Sequence, residues 1–221
     1  MPEILFNGGA GRLEGRYMPA KSSEAPIAVL MHPHPLHGGT MSNKIVHMMN
    51  AAFVQSGFAT MRFNFRGVGK SQGKFDEGVG ELADAAAALD WMQSMHKNHG
   101  PIWVAGFSFG AWISMQLLMR RPEIAGFVSV APPANMYDFG FLAPCPCGGL
   151  VLQGDKDGIV PEKATADLVA KLRQQRGKLA IDYRVIPEAN HFFKDREDMM
   201  QTHLADYLMG GTQQRVRRAA E

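Results

Sequence analysis

Residues 106–110 read Gly-Phe-Ser-Phe-Gly and follow directly on the apolar run Ile102-Trp103-Val104-Ala105. No other feature restricts the fold as much. A serine flanked in this way belongs on a sharp turn between a strand and a helix, where its hydroxyl stands clear of the backbone. Such a turn tolerates only minimal side chains on either side, and Gly106 and Gly110 supply them. A serine hydroxyl is a weak nucleophile until a base takes its proton. If Ser108 is a nucleophile, the chain must therefore provide that base and a group to orient it.

The rest of the chain repeats the strand-then-helix theme. Residues 3–7 and 12–18 flank Gly8-Gly9-Ala10-Gly11 and read as a hairpin. Residues 27–31, Ile-Ala-Val-Leu-Met, form a continuous apolar strand of the kind buried on both faces. Residues 42–56 carry Ile45, Met48, Met49, Ala52 and Phe53 at helical spacing, and Gly57 ends the segment. A strand is expected over 59–65 and a helix over 81–95, striped by Leu82, Ala85, Ala86, Leu89 and Met92. After the strand 102–105 come a helix over 109–119, strands at 127–130, 150–153 and 180–186, and helices over 161–175 and 194–208. This alternation implies an α/β fold: a mostly parallel sheet of about eight strands, helices on both faces and an antiparallel start. The connection between the strands near Val130 and Leu150 is too short for an inserted cap domain. With 221 residues, one domain over 1–210 is expected, followed by a flexible tail over 211–221.

Composition excludes several function classes. The formal net charge is +2, so there is no strong pull toward nucleic acid. The basic tail Arg215-Val216-Arg217-Arg218 reads as solvated. No apolar run is long enough to span a bilayer, and the N-terminus has no secretory signal. The two cysteines, Cys145 and Cys147, are separated by one residue, too close for an unstrained bridge. They read as reduced thiols in a cytoplasmic protein. A small-molecule substrate is expected, with no nucleic-acid or membrane partner; the composition is compatible with a homodimer.

In an elbow-type sheet the partners of the serine follow in the order acid, then histidine, each in a loop behind a later strand. The strand 150–153 runs into Gly154-Asp155-Lys156-Asp157-Gly158-Ile159-Val160-Pro161, and the last strand runs into Pro187-Glu188-Ala189-Asn190-His191. Three elements in this order, all at one edge of a parallel sheet, mark a site. Asp155 and Asp157 both qualify for the acid. Among the other histidines, His47, His96, His99 and His203 read as structural. The oxyanion of a tetrahedral intermediate needs backbone donors. One should be the N–H of Phe109, and the second should come from the loop after 27–31, where Pro33 and Pro35 have no N–H to give. His34 and Leu36 remain.

Together these motifs, with His32-Pro33-His34-Pro35 and Gly38-Gly39, resemble the α/β-hydrolases, close to the lidless dienelactone-hydrolase-like serine esterases. The likeness covers about residues 4–208. It implies an α/β-hydrolase fold without a cap, with Ser108, Asp157 and His191 as the triad. It favours His34 as the oxyanion partner of Phe109. Dienelactone hydrolases carry a cysteine nucleophile where this chain has Ser108, so the resemblance implies ester hydrolysis by a carboxylesterase-like enzyme, acting on small or short-acyl esters, with no metal or organic cofactor. Thioester or amide hydrolysis would use the same residues.

Two patterns compete with this reading. His32, His34 and His37 approach the H-x-H-x-D-H zinc pattern, with Leu36 where the aspartate should stand. A metal-dependent hydrolase is the rival mechanism, and a non-catalytic binding protein a further alternative. Gly67-Val68-Gly69-Lys70-Ser71-Gln72 begins like a dinucleotide-binding fingerprint, but no helix follows at once, and a structural turn is expected. Phe107, Trp112, Met136, Tyr137, Phe139, Phe141 and Phe192 lie near the site in sequence, and some of them should line a pocket.

Overall fold

The computed structural model describes residues 2–175 and 180–219, with side chains described as far as 210. Its centre is an eight-stranded sheet: β1 (Glu3–Gly8), β2 (Gly11–Met18), β3 (Ile27–Met31), β4 (Ala59–Phe63), β5 (Ile102–Phe107), β6 (Ile124–Val130), β7 (Gly149–Gly154) and β8 (Ile181–Ile186). The spatial order is β1-β2-β4-β3-β5-β6-β7-β8. From β4 to β8 every pairing is parallel, whereas β1–β2 and β2–β4 are antiparallel. This is the expected α/β-hydrolase arrangement, with no cap domain: residues 131–148, between β6 and β7, form neither helix nor strand.

Among the described residues, five α-helices cover the two faces: α1 (Lys44–Gln55), α2 (Val79–Met95), α3 (Phe109–Leu118), α4 (Glu162–Arg173) and α5 (Glu197–Ala219). Side chains alternate across a strand, so the unbroken apolar runs feed two cores. In β3, Ile27, Val29 and Met31 join the core beneath α2, α3 and α4, while Ala28 and Leu30 join the one beneath α1 and α5. Every residue of β3, β4, β5 and β7 is buried. That is why β3 and β5 show no polar alternation, while β4 buries Thr60 and Arg62 between its apolar residues.

Local chemistry moves several boundaries. Asn43 caps α1 by accepting from the Ile45 N–H (2.9 Å), so the helix starts after it. α2 begins at Val79, earlier than its apolar stripe suggests. Glu81 is its third residue and reaches back to the N–H groups of Gly78 (2.8 Å) and Asp76 (3.0 Å). Past Phe63 the Asn64 N–H still reaches the Glu14 carbonyl of β2 (2.8 Å), and β4 is broken off where the Phe65 N–H turns to His32 (3.0 Å). α5 opens at Glu197, after Phe193 and Asp195 adopt left-handed backbone. It runs on to Ala219; the tail expected over 211–221 concerns side chains and terminal residues outside the described part.

The 67–72 segment is a turn. Gly67 and Gly69 have positive φ, and Ser71 bridges the Glu14 N–H and the Asn64 carbonyl. Just before it, Arg66 makes a paired contact with the buried Asp84 of α2, at 3.0 and 2.8 Å. Cys145 and Cys147 form no disulfide, and the Cys145 thiol donates to the Cys147 carbonyl (3.3 Å).

Candidate active site

Ser108 is the single residue between β5 and α3, and its backbone lies at φ 53°, ψ −119°. That is strained ground for a residue with a side chain. The glycines make it possible by letting backbones meet. A Cβ on Gly106 would lie 2.1 Å from the Gly110 carbonyl oxygen, and one on Gly110 would lie 2.4 Å from that of Met31. The turn is tied down by the Ser108 N–H to the Val130 carbonyl (2.9 Å) and by the Ala111 N–H to the Ser108 carbonyl (2.8 Å).

The loop after β8 brings His191 to this turn, and the loop after β7 brings Asp157. His191 Nε2 is 3.1 Å from Ser108 Oγ, and His191 Nδ1 is 2.8 Å from Asp157 Oδ2. All three residues are nearly or wholly buried. Burial pushes the Asp157 carboxyl upward. Hydrogen bonds from His191 and from the Val160 and Ile159 amides outweigh it and hold the group below the usual carboxylate range. An ionised carboxylate only accepts, so the proton of a neutral His191 sits on Nδ1 and Nε2 presents its lone pair to Ser108. Asp155 lies outside this hydrogen-bonded trio. It is exposed, and its N–H goes to the Ile186 carbonyl.

The loop after β3 faces the elbow. His34 and Phe109 line the same cleft as Ser108 and His191. Phe109 is the first residue of α3, where an N–H has no partner within the helix. The Leu36 N–H donates to His34 Nδ1 (3.2 Å) and is thereby taken. The His34 carbonyl accepts from His37 and Gly39, each at 3.1 Å. Gly39 must be glycine, since a Cβ there would stand 2.0 Å from the Pro33 carbonyl oxygen.

The three-histidine metal reading does not assemble. The fully buried His32 accepts the Phe65 N–H on Nε2 (3.0 Å) and so donates from Nδ1 to the Pro33 carbonyl (2.6 Å). Both ring nitrogens are engaged. Burial, with a smaller push from His34 against the Pro33 hydrogen bond, lowers its pKa to about 4. Among the described residues no group of three or more His, Cys, Asp or Glu is placed to hold a metal ion. The other histidines have local partners: His96 with Tyr17, His47 with Arg62, His99 with Gly100 and His203 with Arg184.

The cleft above Ser108 holds about 380 Å³. Met136, Tyr137 and Phe192 line it, as the sequence suggested for some of its aromatics; Ile159 and Pro133 join them. Trp112 stacks behind Tyr137 (4.3 Å between ring centres), and Phe107 packs under the His191 ring (5.1 Å). Phe139 lines a separate cavity of about 400 Å³ beside α4. One participant escaped the sequence reading: Gln153, wholly buried, donates from Nε2 to Asp157 Oδ2 at 2.9 Å.

Comparison with known proteins supports the family and the fold. Residues 15–206 match the family model of the X-Pro dipeptidyl-peptidases, the S15 family. An uncharacterized protein of Rickettsia prowazekii is 52% identical over 95% of this chain and 89% of its own. Among solved structures, a protein of unknown function from Agrobacterium tumefaciens, described as a candidate α/β hydrolase, shares 58% identity with a TM-score of 0.91, covering 94% of each chain. A Xanthomonas campestris protein described as an α/β serine hydrolase without a lid shares 33% identity with a TM-score of 0.84, over 94% of this chain and 92% of its own.

Proposed function

This chain belongs to the α/β-hydrolase superfamily, within the X-Pro dipeptidyl-peptidase (S15) family, and as a serine hydrolase of that group we propose that it cleaves carboxylic esters through an acyl-enzyme on Ser108. His191 takes the Ser108 proton as Oγ attacks the ester carbonyl. Asp157 holds the imidazole in the required tautomer and stabilises the imidazolium. The N–H groups of Phe109 and His34 receive the oxyanion. His191 then protonates the departing alkoxide. In the second half the same base deprotonates water, which releases the acid and restores Ser108.

The observation that favours an ester over a peptide is the lining of the cleft. Among the described residues that form it there is no aspartate, glutamate, lysine or arginine. A dipeptidyl-peptidase must hold the free ammonium of a peptide N-terminus, and a buried carboxylate is the natural partner for that charge. The apolar walls, with half-exposed Met136, Ile159 and Phe192 at the mouth, suit an uncharged acyl or aryl group instead. A volume of about 380 Å³ stands at the small end of ligand sites, which run from about 300 to 1,000 Å³, and supports a small or short-acyl substrate. Cys145 and Cys147, which form no disulfide, support a reducing, cytoplasmic location.

Rates on p-nitrophenyl acetate and butyrate, set against Gly-Pro-p-nitroanilide, test the reading. Ester kcat/KM should exceed that of the dipeptide anilide by at least about two orders of magnitude, ~2.7 kcal/mol of transition-state binding. A dipeptide anilide cleaved as well as the esters would overturn the ester assignment and return the reaction in the family's name.

A further inference from the structure

Building on the acyl-enzyme reading, we infer that Gln153 is a positioning residue for Asp157: its side-chain amide fixes the carboxylate oxygen that faces His191. Gln153 is the penultimate residue of β7, wholly buried behind Leu150, Val151 and Leu152. A leucine would continue that apolar run, yet an amide stands there with its nitrogen and its oxygen both hydrogen-bonded.

The orientation of the amide follows from its neighbours. Asp157 Oδ2 and the Val160 carbonyl can only accept, so both must face the NH2 group; each lies 2.9 Å from Nε2. The amide oxygen accepts the Thr165 hydroxyl of α4, also at 2.9 Å. Gln153 thus ties the start of the acid loop to its end and to α4.

Two effects on Asp157 follow. The backbone N–H groups of Ile159 (2.9 Å) and Val160 (2.8 Å) already hold Oδ1. Gln153 pins Oδ2, the same atom that accepts from His191 Nδ1, so the carboxylate plane cannot rotate away from the ring. The extra donor on Oδ2 also draws off negative charge. This limits how tightly the carboxylate retains the imidazolium, which must surrender its proton to the leaving group. The ionisable groups around His191 are few. Asp157 faces it from the acid loop, and His34 and His37 share the cleft from the β3 loop. Lys156 and Glu188 form an exposed pair at 3.7 Å on the two loops that carry Asp157 and His191.

The test is Gln153→Leu, made in the wild type and in Asp157→Asn, with Thr165→Val as a milder companion. In the wild type, Gln153→Leu should lower kcat about 10- to 100-fold with KM within about twofold, the scale seen when an outer hydrogen-bond partner of a functional group is removed. The acid limb of its kcat/KM profile should move to higher pH, because a carboxylate with one donor fewer holds the imidazolium more tightly. In Asp157→Asn the same change should alter kcat by less than about twofold, since the effect runs through Asp157. Thr165→Val should shift kcat and the pH limb in the same direction, by less. The inference is overturned if Gln153→Leu has wild-type kcat, or if its loss persists undiminished in Asp157→Asn with an unmoved pH limb, as a packing defect would give. If Gln153→Leu does not fold, an unaltered kcat and pH limb in Thr165→Val overturns it. Should Ser108→Ala and Asp157→Asn leave ester cleavage intact, the acyl-enzyme reading itself fails; should they abolish it while Gln153→Leu does not, only the positioning role does.

Discussion

Asp157→Asn is expected to lower kcat by about 10⁴-fold while changing KM little, the pattern of a lost transition-state interaction. The cause lies in the donors already present. The Ile159 and Val160 N–H groups would keep the amide oxygen at the Oδ1 position. Its NH2 group would then occupy the Oδ2 position and face His191 Nδ1. The ring would settle in the other tautomer, with its proton on Nε2 toward Ser108, and could no longer act as base. Asp155→Asn should keep kcat within about threefold, a surface-type effect. Steady-state kinetics on p-nitrophenyl butyrate, with Tm as the control for folding, separates the two. Equal effects at both positions would remove Asp157 from the mechanism.

Gly106→Ala should be strongly destabilising for a single added methyl group. A Cβ there would lie 2.1 Å from the Gly110 carbonyl oxygen and 2.5 Å from the Ala111 nitrogen. These are backbone atoms of a helix start, with no flexible side chain to swing aside. A loss of roughly 3 kcal/mol or more is expected, which for a domain of this size lowers Tm by about 6–12 °C. Gly158→Ala is the contrast, because a Cβ there meets nothing within 4 Å. Its stability should stay within about 0.5 kcal/mol of wild type. Thermal melts of the two variants decide; similar Tm values would mean that the elbow does not depend on close backbone approach.

The central strands β3 and β5 were legible because burial on both faces makes each a continuous apolar run, as in Ile27-Ala28-Val29-Leu30-Met31. The order of the strands was not. Nothing in the sequence says that β4 lies between β2 and β3, since that depends on crossovers over helices. Helix starts were misread where a side chain reached backward, as Glu81 does at α2, or where left-handed residues such as Phe193 and Asp195 held the chain out of helix. The elbow, the acid loop and the histidine loop stand out in the sequence by their glycines and their order, and the fold brings Ser108, Asp157 and His191 together. The zinc-like histidines misled because the partner that occupies His32 Nε2 is the amide of Phe65, distant in sequence. The Leu36 N–H, spent on His34 Nδ1, gives a structural reason for the preference for His34 that the sequence alone does not hold. Gln153 left one usable trace, a polar residue at the carboxyl end of a buried strand.

The central claim is that Ser108 is an activated nucleophile. Incubation with a fluorophosphonate probe, followed by intact-mass and peptide mass spectrometry, tests it most directly. The wild type should gain one probe adduct on the peptide carrying Ser108, and Ser108→Ala, equally folded, should gain none. A wild type that stays unlabelled, or an alanine variant labelled to the same extent, would contradict the account.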